Sequence, residues 1–456
     1  MKKIQQTVVV MLLSAFLPIA NLHAQASSTA QTSDTLSLTL EQALEIALSE
    51  SPTIKIADKE IQRVNYARQE RVGGLLPNVS LSGAYQRALK KQRMVFDIPG
   101  MPSNPEGFEV GQDNTFTGGV SASLPIIAPA LWSTLNLSEL DLELANESAR
   151  SSKLSLVNQV TKAYYNVLLA QDSYDVIHRS YDNTQVNAKI AESKYKQGTL
   201  SEFEWIRADV QARNARTNLV SAESAVNLSI LQLKMLMGID METGVDVQGK
   251  LSDFHQSIYD DVLSSNSASS LNSNSDLKQF DIQSKQLEQS RKINLASALP
   301  TLAASINYQY MSMVNDDKTF TENHIWFPTS TLGVSLSIPL FQGGSKYLKN
   351  KQIKIQQEEL VYQRENIQRG LELQVTSFLD NMKKAVEKSE SNKDGVRQAE
   401  KALTISQKMY EVGMATFLDV SNAELLYIQA GLAYNQSIYE YLSAKTDLEK
   451  ILGREY

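Results

Sequence analysis

The sequence contains no cysteine and is poor in proline and glycine, with 11 and 20 of these residues in a chain of 456. Without cysteine it can form no disulfide, thiolate metal site, thiol nucleophile or lipid-modified cysteine. Proline and glycine end many helices and strands, so their scarcity predicts long uninterrupted elements. A net charge of −7 and an isoelectric point near 5.4 argue against nucleic acid as a partner.

Long hydrophobic runs are scarce as well. The apolar run near the start, residues 8–20, follows two lysines and precedes the small residues Ala24 and Ala26. It is shorter than the roughly 20 residues that a membrane-spanning helix needs. We therefore predict a secretory signal peptide over residues 1–26, cleaved after Ala24 or Ala26, and an exported mature chain.

Residues typical of enzyme sites are scattered. The stretch 343–346 lacks the upstream glycine of a phosphate-binding loop. The four histidines show no metal-ligand spacing; they are His23, His178, His255 and His324. The sequence therefore predicts neither catalysis nor a metal site nor a cofactor.

The chain repeats itself once, with a period of roughly 215 residues. Residues 119–125 match 333–339, residues 195–198 match 410–413, and Gly238 matches Gly453. Chance matches would not keep both order and offset. We predict a first repeat over residues 27–238, a Ser/Asn-rich linker over 239–275, and a second repeat over 276–456.

Each repeat contains two segments in which apolar and polar residues alternate with period two. They cover about residues 78–88 and 114–127, and about 300–313 and 326–341. The polar positions hold Ser, Thr, Asn and Gln almost without charge, whereas a half-buried strand of a soluble sandwich normally has charges on its wet face. Aromatic residues lie toward the segment ends, as in the girdles of a membrane barrel. The pattern favours four transmembrane strands.

Four strands cannot close into a barrel, because an open sheet edge in lipid leaves backbone groups unsatisfied. The chain must therefore assemble with copies of itself. Two copies would give eight strands and a filled interior, whereas three would give twelve strands and a wet lumen. A conduit favours three.

The helical segments are too long for a globular domain. Residues 130–196 and 345–412 each predict one helix of about 100 Å, followed by returning helices at 202–237 and 417–452. Shorter helices, about 39–75 and 276–297, precede the strands. A coiled-coil spacer would explain these lengths. However, one entering helix and one returning helix, stacked end to end, would together be as long as one long helix, so the helices could also form the wall of a hollow cylinder.

The sequence resembles the TolC-like outer-membrane efflux protein family over nearly the whole mature chain. The resemblance rests on residues 38–44 (LTLEQAL), residues 338–344 (IPLFQGG) and the paired turns at 195–204 and 410–419. Thr39 and Gln42 have the spacing of a helix capping box. The resemblance implies a mixed α+β membrane protein: a homotrimer whose four strands per chain complete a 12-stranded β-barrel, continued by a periplasmic α-barrel of long helical hairpins.

The resemblance also implies partners and sites. Family members serve as the exit duct of inner-membrane pumps, joined through a periplasmic adaptor. The predicted adaptor contacts are the hairpin tips, where glycine permits the reversal and Ser or Thr caps the next helix; that structural role alone would also explain these residues. They are Gly198, Thr199, Leu200 and Ser201, with Gly413, Met414, Ala415 and Thr416.

Three further residues are predicted at the periplasmic mouth. Glu204 and Asp419 would form a carboxylate ring that attracts cations, although acidic residues in a first helical turn are also favourable without any such role. Tyr410 matches a family position that helps to hold the mouth closed. The chain departs from well-known members at Ala415 and Asn422, where those carry charged residues, so the ring is expected to be weaker or the closed state held by other bonds.

Two interpretations of function follow. The first is an outer-membrane exit duct of a tripartite efflux or type I secretion system, in contact with outer-membrane lipid and carrying small molecules or proteins selected by the pump. The alternative is a soluble periplasmic coiled-coil adaptor. The adaptor would account for the signal peptide and the helices, but it would not account for four strands with uncharged polar faces.

Overall fold

The computed structural model describes residues 36–95, 107–254, 271–315 and 325–454. The predicted signal peptide and much of the predicted linker, residues 255–270, lie outside the described residues. Within those ranges, none of the helices combines the length and apolar character needed to cross a membrane.

The first half of the described chain contains nine elements and the second half continues in a similar order. The first are β1 (Leu36–Leu38), α1 (Leu40–Glu50), α2 (Pro52–Gly73), β2 (Asn78–Arg87), β3 (Gln92–Met94), β4 (Phe108–Val110), β5 (Asn114–Ile127), α3 (Pro129–Lys196) and α4 (Glu202–Met237). After β6 (Val245–Val247) and two short 3₁₀ turns come α5 (Ser275–Ala296), β7 (Thr301–Val314), β8 (Phe327–Ser337), α6 (Ser345–Glu411) and α7 (Phe417–Leu452).

A four-stranded antiparallel sheet forms one end of the fold, in the order β2-β5-β7-β8. The register places apolar residues opposite each other and polar residues opposite each other. Leu81 pairs with Val120, and Ser80 pairs with Ser121, whose hydroxyl oxygen lies 2.8 Å away. The apolar face is open to the surroundings, and the Leu81 side chain is 83% exposed. Period-two alternation thus produces a sheet with one apolar and one small polar face.

Both outer strands of this sheet have a free edge. Among the described residues, β2 pairs only with β5 and β8 only with β7. Each outer strand therefore leaves one row of backbone N–H and C=O groups without a ladder partner.

Two further strand pairs were not foreseen from the sequence. Beyond the end of β2 and β5, β3 and β4 form a short antiparallel ladder within the longer loop. Midway along the molecule, β1 pairs in parallel with β6. A strand of the predicted linker (245–247) therefore pairs with residues 36–38, which the sequence assigns to the first repeat.

The long helices form two hairpins, α3 with α4 and α6 with α7. Helix α3 has 68 residues and α6 has 67, so each spans about 100 Å at 1.5 Å per residue. Proline at the first position of α3 fixes a helical φ without removing a needed N–H donor. The two hairpins contact each other mainly through α3 and α7, a contact we call the α3–α7 seam.

The shorter helices continue the returning ones end to end. Helix α4 ends at Gly238, where an added Cβ would lie 2.8 Å from the Glu50 carbonyl oxygen and 2.9 Å from Pro52, at the start of α2. Helix α7 ends in the same way at Gly453, against the carbonyl of Ser273 just before α5. The side-chain amide of Asn274 also donates to the Ile451 carbonyl at 2.8 Å. Close approach of two helix ends explains why both joints carry glycine.

The main core lies around the β1–β6 pair, midway along the molecule. Leu38, Val160, Met237, Leu251 and Ile438 are buried there with hardly any exposed surface. Nearby, the predicted capping box is present: Thr39 accepts from the Gln42 N–H, and the Gln42 side chain accepts from the Thr39 N–H. This core fixes the two hairpins relative to each other in their upper part, by which we mean the part around the β1–β6 pair, as opposed to the lower part toward the hairpin tips.

Candidate docking and gating site at the hairpin tips

The first tip reverses the chain between α3 and α4. Gly198 has a φ of 72°, in the left-handed region that favours glycine. Thr199 completes the end of α3, because its N–H donates at 2.9 Å and its hydroxyl at 3.0 Å to the Lys194 carbonyl. Ser201 then caps α4 by accepting from the Glu204 N–H at 3.3 Å. The roles expected for Gly198 and Ser201 in the turn are confirmed.

The second tip has the same design with a stronger cap. Gly413 has a φ of 79°, and the Met414 N–H donates to the Met409 carbonyl at 2.7 Å. Thr416 and Asp419 form a full capping box: the Thr416 N–H and hydroxyl donate to the Asp419 carboxylate at 2.8 and 2.7 Å, and the Asp419 N–H donates to the Thr416 hydroxyl at 3.3 Å.

The outer surface of both tips is accessible. Gly198, Thr199, Ser201, Gly413 and Thr416 are exposed, and the Met414 side chain is 75% exposed. An exposed, flexible and polarizable methionine suits a contact surface.

The remaining two tip residues face inward. Leu200 and Ala415 are half-buried and pack against a small cluster formed by Ala191, Ala208, Tyr410, Phe417 and Val420. Since this cluster draws on both hairpins, it joins the two tips of one chain. The eight predicted tip residues thus divide into an exposed rim and an inner pair that supports it.

Tyr410 lies at the centre of this cluster and is only 3% exposed. Lys194 reaches across from α3: its ammonium donates to the Tyr410 carbonyl at 2.6 Å and lies 4.5 Å from the centre of the Tyr410 ring. The Tyr410 hydroxyl has no hydrogen-bond partner among the described residues. Burial, and then the charge of Glu204, raise the pKa of Tyr410, so its phenol stays neutral.

The two predicted mouth carboxylates differ. Asp419 is held by its own cap, and the hydrogen bonds from Thr416 lower its pKa. Glu204 makes no such box; its carboxylate lies 3.8 Å from the Arg207 guanidinium and close enough to Tyr410 to act on its pKa. Glu204 is therefore the carboxylate with more freedom to move.

Two residues of this site were missed in the sequence. Lys194 joins the hairpins, and Trp205 stacks on Tyr195 with ring centres 5.0 Å apart and an angle of 4° between the planes. A position-by-position comparison of the two repeats would have singled out Lys194, because the matching position of the second repeat holds an uncharged residue, Met409. The matched tyrosines Tyr195 and Tyr410 also take different neighbours.

Groups that could hold a metal are not assembled in the described part of the chain. No cluster of three or more His, Cys, Asp or Glu side chains occurs there in a suitable arrangement. His178 lies on α3 beside Asp182, 3.2 Å from its carboxylate, while His23, His255 and His324 lie outside the described residues.

Comparison with known proteins places the chain in context. The profile of the outer membrane efflux protein family matches residues 43–239 and 267–454. The cobalt-zinc-cadmium resistance protein CzcC of Cupriavidus metallidurans is 23% identical, with 91% of this chain and 90% of that protein covered. The alkaline protease secretion protein AprF of Pseudomonas aeruginosa is 22% identical, covering 92% and 85%. The crystal structure of the Campylobacter jejuni CmeC outer membrane channel is similar in fold, with a TM-score of 0.69 at 16% identity, covering 96% and 93%.

Proposed function

Because the chain belongs to the outer membrane efflux protein family, we propose that it forms a homotrimeric exit duct, docked through its hairpin tips to a periplasmic adaptor and an inner-membrane pump. Members of this family are outer-membrane channels that extend into the periplasm, and they are not enzymes. Family membership favours the duct over the soluble adaptor considered from the sequence.

The observation that carries the trimer is the sheet with two free edges. In lipid those edges would leave backbone groups unpaired at a cost of several kcal/mol each. The sheet has an even number of alternating strands, so β2 and β8 run in opposite directions. The β8 edge of one copy can therefore pair in antiparallel fashion with the β2 edge of the next, and twelve strands enclose a water-filled lumen.

The helices support the same assembly. The returning helix α4 carries a stripe of exposed apolar residues with spacings close to a heptad repeat, which one chain leaves uncovered: Phe203, Ile206, Val210, Val220, Leu228, Leu231 and Met235. Helix α6 has exposed apolar residues of its own, among them Ile355, Tyr362 and Leu373. We propose that α4 of one copy packs against α6 of the next, so that each hairpin contacts a neighbour on both sides.

The number of copies is tested by native mass spectrometry of the full mature protein extracted in detergent. The expected mass is that of three chains. An inserted, protease-resistant monomer would overturn the proposal, because its sheet edges would then be stable in lipid without a partner.

Docking at the tips is tested by crosslinking the full chain to a co-expressed periplasmic adaptor. Thr199→Asp and Met414→Asp place a charge on the exposed rim without touching the inner pair, and we expect them to lower the crosslinking yield. Asn218→Asp is the matched control, because Asn218 is also exposed but lies in the middle of α4, off the apolar stripe. Equal losses for tip and control variants would contradict docking at the tips.

The cargo of relatives differs according to their names, which include cobalt-zinc-cadmium resistance and alkaline protease secretion. We propose that the pump and adaptor, not the duct, select the cargo of this chain. Exchange of the adaptor–pump pair, with the duct kept constant, should therefore change what is exported.

A further inference from the structure

The α3–α7 seam contains a buried carboxyl group about two turns from the tip. Glu424 lies on α7, and its side chain is 4% exposed. On α3 the buried residues of this stretch are small and polar: Ser180, Thr184 and Asn187. They recur at spacings of four and three, which places them on one face of the helix.

No cation among the described residues contributes to the pKa of the Glu424 carboxyl. Neither of its oxygens has a hydrogen-bond partner of normal geometry among the described residues. Burial raises its pKa, and the nearby Ser180 and Asn183 side chains oppose that increase only in part. Removing a carboxylate from water without a cation partner is unfavourable, so burial favours the protonated form of this group.

The charged and titratable groups around the seam are engaged elsewhere. On α3, Arg179 donates to the Tyr427 hydroxyl at 3.1 Å and pairs with Glu400 of α6 at 3.3 Å. Asp182 lies beside His178, 3.2 Å away. The lysines on the facing stretch of α6, Lys401 and Lys408, and Asp419 of α7 are exposed.

We propose that Glu424 is a proton-operated latch of the periplasmic mouth: the neutral carboxyl holds α7 against α3, and its ionisation drives the lower seam apart. The proposal rests on the proposed conduit function. In the closed seam the group binds its proton more tightly than in water. The seam is therefore most stable below the ordinary glutamate pKa, and it loses this stability as the pH rises toward the raised value.

Polar side chains make the lower seam suited to such a step. When α7 separates from α3 in this stretch, water can solvate Ser180, Asn183, Thr184 and Glu424, so the apolar surface that opening exposes is confined to the small clusters on either side of it. The upper seam, which is largely apolar, stays closed and acts as the fixed end of the moving hairpin.

Conductance of the full channel in planar bilayers tests the latch. We expect the wild-type conductance to rise several-fold between about pH 5 and about pH 8, because the closed seam loses stability as the pH rises above the ordinary glutamate pKa. Glu424→Gln keeps the size of the side chain but cannot ionise, so we expect low conductance at both values. The matched control Glu390→Gln removes an exposed carboxylate of α6, away from the seam and the tips, and should retain the rise.

A second measurement reports on the seam directly and does not depend on conduction. The chain has no cysteine, so Asn187→Cys gives one thiol at a buried seam position. Its labelling by a small methanethiosulfonate reagent, corrected for thiol ionisation with an exposed Asn218→Cys control, should speed up with pH in the otherwise wild-type chain. The acceleration should disappear when Glu424→Gln is added.

The outcomes separate the two proposals. A channel that conducts but shows no pH dependence, or a Glu424→Gln variant with the wild-type profile in both measurements, would overturn the latch and leave the conduit intact. Loss of the pH response in Glu390→Gln as well would show that the response is not specific to the buried carboxyl, and would also overturn the latch. A protein that forms no channel at any pH would instead contradict the conduit.

Discussion

The upper and lower halves of the α3–α7 seam are built from the same two helices but from different side chains. In the upper half Val160, Leu168, Ile438 and Tyr441 are almost fully buried in the main core. In the lower half Ser180, Thr184 and Asn187 replace them on α3, and a buried carboxyl faces them from α7.

This difference shows how one pair of helices can be firm at one end and separable at the other. Separation of the upper half would expose apolar area at a cost of about 25 cal/mol per Å². In the lower half the polar side chains can bond to water, and apolar area is exposed only at the small clusters around Phe417 and Tyr427, so separation costs less. The seam is a joint with a fixed and a movable end, and four pairs of substitutions test this joint and the helix ends around it.

The largest effect is expected in the upper half. Ile438→Ala should lower the free energy of unfolding by about 2–5 kcal/mol, because it removes buried methyl groups from a close-packed site. Thr184→Ala, in the lower half, should cost only about 1 kcal/mol, since the Thr184 hydroxyl bonds the Ser180 carbonyl of its own helix. Urea unfolding of both variants, followed by circular dichroism, makes the comparison. Equal losses would mean that the two halves contribute alike.

The joint at Gly453 should come next. Gly453→Ala forces a left-handed residue to carry a Cβ that overlaps the Ser273 carbonyl, so we expect a loss of about 1–3 kcal/mol. Gly395→Ala is the matched control in α6, where nothing lies within 4 Å, and it should stabilise by about 0.5–1 kcal/mol. Thermal unfolding of the two variants should shift in opposite directions; a shift in the same direction would argue against the joint.

The two tip caps should differ by less. Thr416→Ala removes a full capping box and should cost about 1 kcal/mol, whereas Ser201→Ala removes one 3.3 Å bond and should cost about 0.5 kcal/mol. Hydrogen exchange of the first-turn amides of α4 and α7 measures each local change. Equal acceleration at both tips would show that the additional Asp419 bonds contribute nothing.

The smallest effect on the free energy of unfolding is expected for the carboxylates at the mouth, whose removal should instead change the ion selectivity of the channel. Glu204→Gln combined with Asp419→Asn should move the reversal potential of a salt gradient toward zero, because both changes remove negative charge near the proposed ring. We expect Glu204→Gln alone to account for most of the shift, since the Asp419 charge is bonded to its own cap. Unchanged selectivity in the double variant would remove both residues from the ion path.

Local signals in the sequence carry much of the architecture. The segments with alternating apolar and polar residues coincide with β2, β5, β7 and β8. The turn glycines, and the Ser and Thr residues that cap the following helices, correctly predict where each hairpin reverses. These features depend on a few neighbouring residues, whose preferences act over one turn of helix or one pair of strand positions.

Features made by distant segments could not be predicted in this way. The β1 strand is three residues long, and its partner follows some two hundred residues later. On α7 the local pattern is misleading, because Leu425 is 53% exposed while its neighbour Glu424 is buried. Hydrophobicity alone would have predicted the reverse, with Leu425 buried and Glu424 exposed; the contact of α7 with α3 decides which of the two is buried.

The free edges of the four-stranded sheet also have a genetic consequence. A barrel of three chains closes only if every chain offers two sound edges, so one defective chain spoils the assembly it joins. If half of the chains in a cell carried an edge defect, only about one eighth of randomly assembled trimers would be entirely sound. Mutations in β2 or β8 should therefore be dominant over a wild-type copy, whereas null alleles of the same gene should be recessive.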